Sequence, residues 1–192
     1  MFKNDYSSPN YTSFENTGHD YILRLIEQLA AYLWAIVFNK KAQNYDVAIE
    51  KIEEAYNGLL FKNGNEIKKL STVEIILNNT NKNVLEKDNI EIIANLLYEE
   101  AEIIELKNGQ NNLSLDYYSK SLNLFVLLLN ETETQKYYKN IDTIISKLEY
   151  YDIDDSIKMV YINIIFKVVF LEKLKIYCIN YWKIIILKLL KK

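Results

Sequence analysis

Apolar residues along most of this chain recur at steps of three and four positions, the spacing that places them on one face of an α-helix. In the first such stretch, which begins at Tyr21, the apolar positions are Ile22, Leu25, Ile26, Leu29, Leu33, Ile36 and Val37. A polar break, NKKAQN, separates it from a second stretch that runs from about Tyr45 to Phe61. The spacing therefore predicts helices over 21–38 and 45–61.

Similar patterns continue to residue 167. The letters KNGN at 62–65 follow the second helix, and we expect Gly64 to be its C-terminal stop. The later helices are predicted at 66–78, 89–107, 112–130, 133–150 and 154–167. No segment alternates apolar and polar residues between turn signals, so strands are not expected. The sequence predicts an all-α fold.

The N-terminal segment has a different composition. Residues 7–20, SSPNYTSFENTGHD, contain the single proline and the single histidine of the chain and show no apolar period. We expect 1–20 to be a flexible segment. The predicted organisation is then a flexible N-terminal segment, one helical domain over 21–167, and a tail over 168–192.

Two of the predicted helices share an order of small and large residues. A small residue is followed by a large one four positions later and a small one three positions after that, at Ala48, Ile52 and Ala55 and at Ser114, Tyr118 and Ser121. Gly109 lies five residues before the second set. This order resembles the second helix of tetratricopeptide repeats.

The resemblance implies stacked helix pairs, in which 21–38 and 89–107 are the first members. Small residues at the outer two positions let paired helices approach closely. The section 66–88 lacks the pattern, so any array is irregular. An ordinary helical bundle is the alternative fold.

A second resemblance concerns the N-terminus. The segments MFKNDY and YILRLIEQL are similar to the two halves of the opening in a family of small uncharacterised proteins from clostridia and related bacteria. That family is described as a domain of unknown function with tetratricopeptide-like helices. In its members the first half runs directly into the second, whereas Ser7–Tyr21 intervenes here as a 15-residue insertion. The resemblance brings no activity, ligand or catalytic residue.

Composition narrows the classes of partner. Among the 192 residues 49% are hydrophobic and 26% are charged, the balance of a globular protein. Ile, Asn, Lys and Tyr are abundant, and their A- and T-rich codons indicate an AT-rich genome rather than a binding function. The net charge of −3 divides into +5 over 168–192 and −8 over the rest. An acidic body argues against nucleic acid as a partner.

The tail, VVFLEKLKIYCINYWKIIILKLLKK, does not match a membrane span. Its longest uncharged run is Ile176–Trp182, which is seven residues, whereas a span needs about 20. A basic helix lying on an anionic lipid surface is an alternative, although the charged residues surround most of the helix. The opening residues lack the apolar core of a signal peptide and Cys178 is the single cysteine, so we expect a cytoplasmic protein.

A third interpretation of the tail is that it is translated out of frame. A one-base slip near Phe166–Leu171 allows the alternative frame to encode a peptide of the form SGFFRKAENILYKLLENNN. That peptide contains a glycine, an alanine five residues later and then an apolar face, the order found at Gly109 and Ser114. We hypothesise a frameshift from about residue 168, against an authentic tail; the coding DNA distinguishes the two.

Catalytic groups are scarce in this sequence. His19 and Cys178 are the only histidine and the only cysteine, and neither lies in a patterned helix. Zinc sites need several ligands at suitable spacing, and phosphate-cradling loops need glycine motifs that this chain lacks. We therefore expect no enzyme activity, metal or cofactor; the alternative is an enzyme that uses carboxylates alone.

The densest carboxylate cluster comprises Glu99, Glu100, Glu102 and Glu105. A solvated helix face is its simplest interpretation. If helix 89–107 lines the inner surface of an array, the same face can instead bind a basic peptide. On that hypothesis the candidate partner-binding residues are Asn95, Glu99 and Glu102.

The sequence favours a non-catalytic helical-repeat module that binds a protein or peptide of unidentified sequence. The alternative is a membrane-peripheral protein that docks through its basic C-terminal helix. That alternative requires residues 168–192 to be authentic.

Overall fold

The computed structural model describes residues 13–132 and 135–151, and within them the fold is all-α, as predicted. The helices are α1 (Ser13–Lys41), α2 (Tyr45–Leu60), α3 (Gly64–Lys69), α4 (Thr72–Asn78), α5 (Lys87–Asn108), α6 (Asn112–Thr132) and α7 (Tyr138–Leu148). A 3-10 turn, Gln135–Tyr137, precedes α7. The described residues divide into two compact units, with the boundary between Ser71 and Thr72.

Helix α1 begins at Ser13, eight residues before the predicted start at Tyr21. Residues 13–20 of the segment expected to be flexible are thus helical, and so is part of the predicted insertion. The sequence carries a signal for this start, because TSFE at 12–15 matches the capping-box order of Ser or Thr followed three residues later by Glu. The helix was not predicted over 13–20 because these residues show no apolar period.

Helices α1 and α2 pack against each other in the first unit. The patterned residues Ala48, Ile52 and Ala55 of α2 are fully buried, as the helix-pair pattern predicts. At Gly58, one turn further along, an added Cβ would stand 2.8 Å from the hydroxyl at the end of the Tyr32 side chain of α1.

Gly64 does not stop α2, so that prediction is wrong. Phe61 caps the helix in the left-handed conformation, with φ 52°, and its N–H donates to the carbonyl of Asn57. Gly64 instead begins α3 and is buried beneath α2, where a Cβ would stand 2.5 Å from both Tyr56 and Glu53. Lack of space, rather than backbone conformation, requires glycine there.

The predicted helix 66–78 is two helices, because the backbone of Leu70 is extended, with φ −71° and ψ 146°. Helix α4 follows at Thr72. The letters STVE at 71–74 match the capping-box order and mark this break in the sequence. Because the apolar spacing continues across the break, it predicted one helix instead of two.

A short hairpin follows α4, although no strand was expected. Strands β1 (Thr80–Asn81) and β2 (Val84–Leu85) pair antiparallel. The two residues between them, Lys82 and Asn83, both have positive φ, at 47° and 64°, as a type I′ turn requires. Two residues per strand are too few to show alternation, so the pattern missed them.

Helices α5 and α6 form the core of the second unit, at the predicted ranges 89–107 and 112–130 to within two residues. The patterned residues Ser114, Tyr118 and Ser121 are fully buried. The Ser121 hydroxyl donates to the carbonyl of Ala94 at 2.7 Å. The small side chain therefore leaves room for α5 and also forms a hydrogen bond to it. Gly109 ends α5 with φ 71° and ψ −177°, a conformation nearly restricted to glycine.

Helix α7 packs against α6 and is shorter than the predicted range 133–150, because its first turn is the 3-10 turn. Its apolar positions Ile141, Ile144 and Leu148 are buried. The predicted helix 154–167, the tail 168–192 with Cys178, and the frameshift hypothesis lie outside the described residues.

Candidate partner-binding surface

One face of α5 is polar along its whole length. The residues at steps of four and three are Glu91, Asn95, Tyr98, Glu102 and Glu105. All five are neither fully buried nor fully exposed, while the apolar residues between them form the core. This polar face is directed towards the 3-10 turn and α7, which supply lysines to its two ends.

Glu91 anchors the first end. Its Oε2 accepts a hydrogen bond from the Tyr137 hydroxyl at 2.6 Å, and the ammonium of Lys136 lies 2.8 Å from the same oxygen. Burial, followed by the hydrogen bond to Glu91, raises the pKa of Tyr137 above its ordinary value. The phenol therefore stays protonated and keeps donating. The start of α7 is fixed to α5 by this arrangement.

Glu105 and Glu102 anchor the other end. The ammonium of Lys147 lies 3.0 Å from Oε2 of Glu105 and 3.6 Å from Oε1 of Glu102. Oε2 of Glu105 also accepts from the hydroxyl of Tyr118 at 2.8 Å. Partial burial opposes the charge of Lys147, but its hydrogen bond and attraction to Glu105 and Glu102 outweigh burial and raise its pKa. Lys147 is thus a cation that joins α7 to α5.

A pocket of about 300 Å³ lies at the middle of this polar face, lined by Tyr98 of α5 and by Lys139, Asn140 and Thr143 of α7. Within the described residues, the side chains of Lys139 and Asn140 make no hydrogen bond or ion pair. Thr143 donates its hydroxyl proton to the carbonyl of Lys139 at 2.7 Å and retains acceptor capacity. The pocket thus offers an amide, a hydroxyl and a cation to a ligand.

Burial is the main cause that raises the pKa of Tyr98 well above its ordinary value, and the charges of Glu102 and Glu99 add to it. Tyr98 is therefore neutral at every physiological pH. The neutral phenol lines the pocket with its ring, its hydroxyl hydrogen-bonds Glu102, and it brings no negative charge of its own.

The three candidates from the sequence lie along this same helix. Asn95 is half-buried and its amide donates to the carbonyl of Glu91 at 2.8 Å. Glu99 is buried, and Glu102 is held by Lys147. The interpretation of the acidic run as a solvated face is therefore wrong for Glu99 and for Glu100, which is also buried. Their helix packs on more than one side, which spacing within the helix does not reveal.

Sequence reasoning missed the pocket residues on α7. Lys139, Asn140 and Thr143 follow no motif, and only the packing of α7 on α6 places them opposite Tyr98. The polar steps along α5 were the one available signal, since they mark a helix face that is neither core nor fully solvated.

Among the described residues, no group of three or more His, Cys, Asp and Glu side chains could hold a metal ion. None of the helices in the described ranges is sufficiently long and apolar to cross a membrane. No family model matches the chain, and neither the curated proteins nor the solved structures contain a match to it.

Proposed function

We propose that this protein is a non-catalytic module that binds a peptide segment of another protein along the groove between α5 and α7. The observation that carries the proposal is the pocket of about 300 Å³ between α5 and α7, in which the side chains of Lys139 and Asn140 lack partners in the described part of the chain. Ion pairs join α5 to the 3-10 turn on one side of the pocket and to α7 on the other. A preformed site of this kind lowers the entropic cost of binding.

The pocket chemistry suits a peptide backbone. Asn140 supplies both a donor and an acceptor, which is what an amide of an extended chain needs, and Thr143 supplies a further acceptor. The ring of Tyr98 offers apolar area beside them. Lys139 adds one positive charge at the α7 side. Hydrogen bonds to the backbone give affinity, and these flanking groups select the side chains.

Asn95, Glu99 and Glu102 remain the proposed contributors from α5. Glu102 shares Lys147 with Glu105, so a basic residue of the peptide can replace that lysine without leaving a carboxylate uncompensated. Glu99 acts through its charge near Tyr98 rather than through direct contact, because it is buried. A peptide with a basic residue next to the pocket fits this arrangement.

The test is selection of a library of random linear peptides on the immobilised full-length chain. Selected peptides are then measured by isothermal titration against the wild type and the double variant Asn140→Ala and Thr143→Ala. We expect the variant to lose at least about tenfold in affinity, equal to 1.4 kcal/mol. The matched control is Asp142→Ala with Ser146→Ala, since both residues are exposed on the same helix.

The control should bind as the wild type does. Failure to enrich any peptide, or equal affinity for the pocket variant and the control, would overturn the proposal. Enrichment of lysine or arginine in the selected peptides supports the role of Glu102. If a selection on the Glu102→Gln variant no longer enriches these residues, Glu102 is the group that recognises the basic side chain.

A further inference from the structure

Helix α1 carries a stripe of large apolar side chains that no described residue covers. Leu23, Ile26, Trp34 and Phe38 are exposed by 46%, 57%, 69% and 57%. The rings of Trp34 and Phe38 stack on each other with centroids 5.3 Å apart, which holds both in one orientation along the helix. The largest apolar patch on a monomer spans about 300–600 Å² and is often a functional surface, and this stripe is of that size.

The stripe is continuous around Ala30. At 100° per residue, the four large side chains lie within roughly 80° of the Ala30 direction, and Ala30 is itself exposed. Glu27 is the one charged residue between Leu23 and Phe38 that falls inside the same arc. The buried residues Leu25 and Ile36 point to the opposite side, towards the core of the first unit.

The order of the residues in the stripe makes it complementary to itself. The aliphatic side chains, Leu23 and Ile26, lie before Ala30, and the aromatic ones, Trp34 and Phe38, lie after it. We propose that α1 is the interface of a homodimer, in which two copies of α1 cross antiparallel at Ala30. Aliphatic side chains of each copy then pack against aromatic side chains of the other. The small residue lets the two backbones approach at the two-fold axis.

The area is sufficient for such a dimer. A whole aromatic side chain buries roughly 150–250 Å², so covering the exposed parts of the four large residues on both copies removes on the order of 1,000 Å² from water. That is the lower bound for a specific interface, so we expect a weak dimer whose population depends on concentration. Trp34 lies near the centre, where one residue can dominate the binding energy.

Sedimentation velocity of the full-length chain over a range of concentrations tests the proposal. The wild type should pass from monomer to dimer as the concentration rises, and Trp34→Glu should weaken the dimer at least about a hundredfold. The matched control is Leu106→Glu, at an apolar position that is 53% exposed on another helix, and it should dimerise as the wild type does. Circular dichroism confirms that each variant is folded.

Disulfide trapping tests the antiparallel register. In a Cys178→Ser background, which removes the native cysteine, Ala30→Cys should form a covalent dimer on mild oxidation. Lys41→Cys should not, because in an antiparallel pair its two copies lie about 30 Å apart, far beyond the reach of a disulfide.

A wild-type monomer at all concentrations would overturn the proposal, whether the stripe is then covered by residues 152–192 of the same chain, by another protein or by lipid. Dimerisation that Trp34→Glu leaves unchanged would also overturn it. If both Ala30→Cys and Lys41→Cys form covalent dimers, the two copies of α1 pair parallel, and the antiparallel arrangement is wrong. Loss of the dimer leaves the α5–α7 groove intact, so this test and the peptide selection fail independently.

Discussion

At the scale of single residues, the turns of this chain depend on side chains that satisfy free backbone groups. Asn111 precedes α6, and its Oδ1 accepts hydrogen bonds from the N–H groups of Leu113 and Ser114, both at 3.0 Å. The hydroxyl of Ser114 donates to the Asn111 carbonyl at 2.9 Å and also contacts the hydroxyl of Tyr151 at 2.8 Å. Asn111 thereby caps the helix and positions the start of the patterned face.

Replacement of Asn111 by alanine should lower the free energy of unfolding by about 1 kcal/mol, because two N–H groups lose their acceptor. Asn111→Asp should retain most of the stability, since its carboxylate accepts the same bonds and favours a helix N-terminus. Urea unfolding followed by circular dichroism measures both. The control is Gln110→Ala at the exposed neighbour. Equal midpoints for Asn111→Ala and the control would contradict the capping role.

At the scale of elements, close approach of α5 and α6 depends on the small residues of the helix-pair pattern. Ser121 has no exposed surface and hydrogen-bonds the Ala94 carbonyl of α5. Tyr118, three positions earlier, fills the interface, and its ring lies 6.0 Å from that of Tyr98 and 6.1 Å from that of Tyr151. The interface has no space for a larger side chain at position 121 unless one of the two helices moves.

Ser121→Leu should therefore destabilise the protein by about 1–3 kcal/mol through overpacking. Ser121→Ala should cost about 1 kcal/mol, since it removes one hydrogen bond and adds no volume. Ser146→Leu is the matched control, because Ser146 is exposed on α7. Chemical denaturation with identical slopes for all variants measures the differences, and a Ser121→Leu variant as stable as Ser146→Leu would refute the packing argument.

At the scale of the whole molecule, hydrogen bonds from neutral tyrosines to carboxylates of α5 connect the elements of the second unit. Burial first, and then hydrogen bonds to Glu105 and Glu91, raise the pKa values of Tyr118 and Tyr137 above the ordinary 10.0. Above pH 10 the folded chain consequently binds more protons than the unfolded chain, so the free energy of unfolding must fall with rising pH. Lys147, with its raised pKa, acts in the same direction.

This contribution is complete below about pH 10 and is lost as the pH rises towards the raised pKa values. We expect urea unfolding to show a loss of stability that begins at about pH 10 and continues as the pH rises further, and Tyr118→Phe to make that loss shallower. Tyr150→Phe is the control, because Tyr150 is 74% exposed. An identical pH dependence for wild type and Tyr118→Phe would show that Tyr118 is not a determinant of alkaline stability.

The amino-acid pattern by itself determined the all-α class, the ranges of α2, α5 and α6, and the buried positions of the two patterned helices. The reason is that apolar spacing and the order of small and large residues are properties of a single helix and can be read without knowing its neighbours. The early start of α1 and the break at Leu70 were also encoded, in TSFE and STVE, but apolar spacing obscured them.

Only the tertiary structure decided that Gly64 lies beneath Tyr56, that Glu99 and Glu100 are buried, and that α7 brings Asn140 opposite Tyr98. Each of these depends on residues distant in sequence that meet in space. A periodic pattern shows which side of a helix is apolar, but not which element packs against it.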